Sequence, residues 1–145
     1  MLSKFFLSFN QKNEDNDQHS FDHDLYHLIY EVIIADHEIT ADEIDLSSRL
    51  IEFYFNIPKE KNDIEFTKLI ENQHFNTDIS QISLRLKKSL SYEQRMDIIL
   101  ICWQVLMVDD HEDQLERSTV RTISTLLGLE DKDFILIRNR VKNTV

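Results

Sequence analysis

Leu28-Ile29-Tyr30-Glu31-Val32-Ile33-Ile34-Ala35 runs straight into Asp36-His37-Glu38-Ile39-Thr40-Ala41-Asp42-Glu43, and the chain uses the same design a second time. There the apolar segment from Met96 to Val108 runs into Asp109, Asp110, His111, Glu112, Asp113 and Glu116. Each copy reads as an apolar helix that ends in a knot of acids and is followed by another helix. Sliding one copy onto the other by 73 positions pairs Tyr30 with Trp103, Asp36 with Asp109 and Glu43 with Glu116, so the spacing Asp-x6-Glu occurs twice. The sequence therefore predicts an internal duplication of helix, acidic turn and helix. It also predicts that the helices ending near Asp36 and Asp109 are neighbours, related by an approximate two-fold.

The remainder of the composition agrees with a helical reading. One glycine and one proline in 145 residues leave little material for the tight turns of a sheet, while Leu, Ile, Glu, Lys and Asp recur at helical spacing. The expected fold class is all-α, a single compact bundle of about seven to eight helices over residues 21–145. A domain of this length buries roughly 68–70% of the surface its unfolded chain exposes, so it needs no covalent staple. Cys102, the one cysteine, has no disulfide partner and sits in the apolar run, which fits a reducing compartment. A net charge of −11 repels phosphate backbones and argues against nucleic acid as a partner. No segment reaches the ~20 apolar residues that span a bilayer. The N-terminus lacks the long apolar core of a signal peptide.

Residues 1–20 divide into an amphipathic segment and a polar linker. Leu2, Phe5, Phe6 and Phe9 follow the i, i+3, i+4, i+7 pattern of one helix face, and Asn10 to Ser20 is almost devoid of apolar residues. Two uses are open for the phenylalanines, covering the main core or docking to a membrane surface or partner. The linker predicts that the main fold survives removal of residues 1–10.

Further along, Ser20 is placed to cap a helix carrying Leu25, Leu28, Ile29 and Val32. His23-Asp24-Leu25-Tyr26-His27 invites comparison with the zinc-protease pattern His-Glu-x-x-His, but both histidines project away from the apolar stripe and read as a solvated face. Thr40 to Glu43 and Ser91 to Gln94 are capping boxes that open new helices, and Pro58 ends the first of them. Two shorter helices are expected between Lys59 and Ser89, broken near Asn76-Thr77-Asp78. The basic cluster Arg85, Lys87 and Lys88 suits a solvated C-terminal turn. Met96, Ile99, Leu100, Trp103, Leu106 and Met107 supply the inward face of the central helix, and Gly128 stops the helix after the second acidic turn. A closing helix from Asp131 to Lys142 carries Phe134, Ile135, Ile137 and Val141.

Acids at a helix start complement its dipole and cap free amides, which accounts for Glu43 and Glu116. Asp36 and Asp109 follow the ends of apolar helices, where the dipole disfavours negative charge. Four carboxylates gathered by pseudo-symmetry suit a hard divalent cation. The turns are not EF-hands, because Ala41 and Gln114 stand where that loop needs glycine, and Ser47 and Val120 where it needs a bidentate glutamate. No nucleophile elbow or phosphate loop accompanies them, although carboxylates with His111 are the raw material of a metal-activated water.

From Ile34 to Glu43, and again from Asp109 to Phe134 with Glu116, Leu126-Leu127-Gly128-Leu129 and Asp133-Phe134, the chain resembles the TerB-like family. That family includes the similar N-terminal domain of DjlA-type co-chaperones. The resemblance runs from about Leu25 to Val141 and implies a non-enzymatic helical bundle whose acids bind a divalent cation, in metal, tellurite or stress response. It further implies a cytoplasmic protein, peripheral to the inner membrane through a membrane-associated complex. The ligand candidates carried over are Asp36, Glu43, Asp109 and Glu116, for Ca²⁺, Mg²⁺, Mn²⁺ or Zn²⁺. Where the family has glycine after each aspartate, this chain has His37 and Asp110, residue types that tolerate the left-handed conformation better than most. No J-type co-chaperone domain follows Val145, so that activity is not expected. The competing expectation is an adaptor that binds a protein partner through its acidic surface and Phe-rich N-terminus, without any ion.

Overall fold

A computed structural model describes residues 21–35, 39–72, 78–109 and 114–144, without the side chains of 109, 114–116 and 144. Helix α1 covers residues 21–33. It is followed by α2 (Ala41–Phe55), α3 (Lys59–Glu71), α4 (Ile79–Ser89), α5 (Tyr92–Leu106), a 3₁₀ turn (Met107–Asp109), α6 (Gln114–Leu126) and α7 (Asp131–Thr144). No strand occurs among the described residues. The N-terminal segment, including Ser20 and its capping role, lies outside them.

Local chemistry sets the ends of these helices. The Thr40 hydroxyl accepts from the Glu43 amide at 3.2 Å, and the Glu43 carboxylate accepts from the Thr40 amide at 2.8 Å. Ser91 and Gln94 make the same reciprocal pair, at 3.2 and 3.0 Å, and Asp78 caps α4 through the amides of Ser80 and Gln81. Such a cap is worth about 1 kcal/mol. At the other end, α2 finishes on Asn56 at φ 58° and α6 on Gly128 at φ 78°. The amides of Gly128 and Leu129 return to the carbonyls of Thr125 and Ser124, satisfying groups the helix leaves open. The left-handed backbone calls for glycine at 128, whereas the atoms a Cβ would meet are the mobile ends of Lys87 and Arg95.

The duplication extends one helix beyond the sequence reading. Helix α1 ends at 33 and α5 at 106, α2 begins at 41 and α6 at 114, and α3 over 59–71 corresponds to α7 over 131–144. The repeat is thus a three-helix unit at the same 73-residue offset, with α4 linking the two copies. In each copy the first helix sets an aromatic ring against the third: Tyr26 on Phe66 at 5.5 Å and Trp103 on Phe134 at 5.8 Å.

Helices α1 and α5 form the core. Leu25, Tyr26, Leu28, Ile29, Val32 and Ile33 of α1 are buried, as are Ile98, Ile99, Ile101, Cys102, Trp103 and Val105 of α5. Each large apolar side chain removed from water contributes about 1.5–3 kcal/mol, so these two helices hold about half of the hydrophobic stabilisation among the described residues. The inward face expected for α5 was too narrow, because α2, α4, α6 and α7 all pack on it. A polar lock fixes α1 to α2 and α3. The Tyr26 hydroxyl donates to Asn62 Oδ1 at 2.6 Å, and Asn62 Nδ2 donates to the carbonyls of Ser48 and Ile57 at 2.9 and 3.0 Å. Asn62 is wholly buried, and its amide is satisfied on both sides.

Three expectations need correction. His27 is not on a solvated face: it is buried beneath α4, although His23 is exposed. Arg85 is not a free member of a basic helix end, since its guanidinium donates to both oxygens of Asp24, at 2.8 and 2.9 Å, and pins α4 to α1. Ile135 of α7 faces solvent, at 46% exposure, because that helix turns Phe134, Ile137 and Val141 inward.

The Asp24 side chain is 6% exposed, so removing its partner strands a charge. Arg85→Met is expected to destabilise the fold by about 2–4 kcal/mol, less in the Asp24→Asn background, as read by urea unfolding. His27 is held below the usual histidine pKa by burial, then by His23 and Arg85, against the opposing pull of Asp24. Its neutral form favours the fold, a contribution present above the ordinary pKa of about 6.5 and lost as the pH falls through and below it. Between pH 7 and pH 5 the wild type is therefore expected to lose more stability than His27→Gln, measured by denaturant titration at each pH.

Candidate metal centre

The first acidic turn leaves α1 through two loosening hydrogen bonds. Ile34 still reaches the Tyr30 carbonyl at 3.0 Å, a helical contact, whereas Ala35 turns to Val32 at 3.4 Å. Asp36, with His37 and Glu38, lies outside the described residues. The chain is placed again from Ile39, half-buried against the core, and Thr40 opens α2. Glu43 is the third residue of that helix, 1% exposed, with its carboxylate in the capping box.

The second turn follows the same plan. Helix α5 passes into the 3₁₀ turn Met107–Asp109, with the Met107 amide on the Trp103 and Val105 carbonyls. Asp109 ends that turn, and Glu116 is the third residue of α6, as Glu43 is of α2. The side chains of Asp109 and Glu116 and the intervening residues 110–113 lie outside the description. Of the four candidates only the Glu43 carboxylate is therefore placed, and among the described residues no three of His, Cys, Asp and Glu form a metal-binding group.

Two contacts give the direction of the helices that feed these turns. Phe21 at the start of α1 stacks on Phe55 in the last turn of α2, with centroids 5.6 Å apart. Asp97 near the start of α5 lies close enough to Tyr54 of α2 to push its phenol upward, a shift due first to burial, then to Asp97, and opposed by Arg140. The start of α1 and the first half of α5, at Asp97, thus lie beside the C-terminal turn of α2.

Other reactive groups are engaged elsewhere. Burial pushes the Cys102 thiol up to about 12, too high for a thiolate ligand or nucleophile near neutral pH. The His23 and His27 rings lie 4.3 Å apart, but the acid between them, Asp24, is spent on Arg85. Tyr92 donates its hydroxyl to Asp133 and accepts from the Glu130 amide, a structural clamp between α5 and α7. Lys59 bridges Asp45 and Asp63 at 3.0 and 2.9 Å on the surface of α2 and α3. The Asp24–Arg85 pair is the polar contact that sequence reasoning missed, since its members are 61 residues apart and share no local pattern.

A family profile described as Tellurite resistance protein TerB matches residues 23–139. No curated protein matches the chain, and no solved structure does. The matched span covers all three helices of the first repeat, the linking α4, and nearly all of the second repeat. By that match, and by its all-helical duplicated architecture, the chain belongs to the TerB family.

Proposed function

We propose that this chain is a non-enzymatic helical module that holds a divalent cation between its two acidic turns, with Asp36, Glu43, Asp109 and Glu116 as ligands. The observation carrying this reading is the register: each Asp-x6-Glu turn joins equivalent helices, and Glu43 and Glu116 occupy the same third position. That the start of α1 and the first half of α5 both lie beside the last turn of α2 supports turns that emerge toward one end of the bundle. Glu43 is an acid buried at the start of a helix, where the dipole favours negative charge. An all-oxygen donor set suits Ca²⁺, Mg²⁺ or Mn²⁺, and Zn²⁺ where His37 or His111 joins it. A bound cation would neutralise mutual repulsion among the acids and couple the two repeats. The name of the family profile supports a role in tellurite resistance, which we extend to metal or stress response in the cytoplasm, beside a membrane-associated complex.

Ligation and capping are separable at Glu43. Gln94 fills the corresponding place in the second capping box, so glutamine caps a helix in this same molecule. Glu43→Gln is expected to keep apo stability within about 1 kcal/mol while weakening the cation response, whereas Glu43→Ala loses both. Equal cation responses in wild type and Glu43→Gln would remove Glu43 from the ligand set. For the site as a whole, a cation at 100 times its dissociation constant should stabilise the fold by about 2.7 kcal/mol. Thermal unfolding of wild type and Asp36→Asn/Asp109→Asn in EDTA and in each cation measures this. A gain confined to the wild type is expected. Identical responses to every ion would leave the metal-independent adaptor standing.

A further inference from the structure

Helix α4 covers two surfaces at once. It lies against α6 of the second repeat, and through Arg85 and Asp24 it reaches α1 of the first. At the 73-residue offset the counterparts of these surfaces lie on α2 and α5, and residues on both are less covered than their counterparts. Ile123 of α6 and Leu127 just after it are fully buried, yet their counterparts Leu50 and Tyr54 on α2 are only half-buried. Beside them Phe53 is 78% exposed, the most exposed of the large apolar residues described. On α5, Leu100 is half-buried where its counterpart His27 is covered.

The charge pattern marks the same place. Asp97 is the counterpart of Asp24, but it is half-buried with no ion-pair partner among the described residues. Burial, with a smaller push from Glu93, holds its carboxyl above the usual carboxylate range. Because Asp97 also raises the Tyr54 phenol, the stranded carboxylate and the apolar stripe Leu50–Phe53–Tyr54 belong to one patch. An unpaired, half-buried carboxylate beside the exposed Phe53 ring is an unfavourable surface unless something basic and apolar sits on it.

Residues 1–20 supply a cover of that chemistry. In the same register Phe6 and Phe9 fall on Ile79 and Ile82 of α4, and Lys12 falls on Arg85. We propose that residues 6–12 dock on the α2–α5 face as the counterpart of α4, with Phe6 and Phe9 against Leu50 and Phe53 and with Lys12 against Asp97. Reach is ample: residues 13–20 extend to about 28 Å at about 3.5 Å each, and α1 begins at Phe21, which already touches the last turn of α2. The segment thereby serves the fold and is not left over for an outside partner.

Two experiments on the full chain test this. Urea unfolding of wild type, Lys12→Ala, Asp97→Asn and the double variant forms a cycle. With Lys12 in place, Asp97→Asn is expected to destabilise; without it, the same change removes a stranded charge and is expected to stabilise. Stabilisation in both backgrounds would overturn the pairing. In the second experiment, Phe9→Cys/Phe53→Cys is oxidised in dilute solution, where fully buried Cys102 does not compete. An intramolecular disulfide is expected, forming about tenfold or more faster than in Phe9→Cys/Thr67→Cys, whose second cysteine is on the outer face of α3. A disulfide only between molecules would assign the face to a second copy, and rates equal to the control would leave it to another partner. Either result overturns the proposal.

Discussion

Two helices that are apolar nearly all the way round cannot be stable until something surrounds them, and that requirement organises the molecule. Within one repeat, α1 has only α2 and α3 as companions, and α5 has only α6 and α7. The shortfall is made up across the repeats: α2 packs on α5, and α4 closes over α1 through the Arg85–Asp24 pair. Neither repeat can bury its first helix alone, which is why the duplication yields one domain and not two. The buried Asn62 amide, held between the Tyr26 hydroxyl and the carbonyls of Ser48 and Ile57, is matched on both sides, so it adds specificity where three helices meet.

The same requirement locates the acids. A chain leaving a buried helix must pass abruptly from apolar surroundings to water, and in the sequence of both repeats an aspartate follows the apolar run, at 36 and at 109. The next helix then starts within a few residues, with a glutamate in its first turn. At Glu43 the carboxylate serves its own helix first, through the Thr40 amide. A cation would add to that role without displacing it. Such turns are structurally cheap, and the helices on either side of them repeat at the same 73-residue offset.

Features with a local cause were legible in the sequence. The capping boxes at Thr40 and Ser91 and the helix stop at Gly128 depend on residues within one turn of each other, and they stand where the spacing placed them. The third helix of the repeat was hidden because α3 and α7 share position and almost no residues, Asn62 in one answering Ile135 in the other. His27 and Asp24 were misjudged for a different reason. Periodicity measures one helix against one core, and it has no access to a second helix that lays an arginine from 61 residues away over the opposite face. Of the candidate site, the sequence supplied its spacing and its equivalence between repeats, while the positions of three of its four carboxylates lie outside the described residues.

The claim on which everything else turns is that the two acidic turns are equivalent and emerge side by side. Pulsed electron resonance between nitroxide labels at His37→Cys and Asp110→Cys, one residue beyond Asp36 and Asp109, measures this directly in the full chain, since Cys102 is buried and does not take label. Packed helices lie about 8–10 Å apart, so neighbouring turns should give label distances within roughly 20 Å. Because each core helix is itself about 20 Å long, a distance of roughly 30 Å or more would put the turns at opposite ends and contradict the shared site.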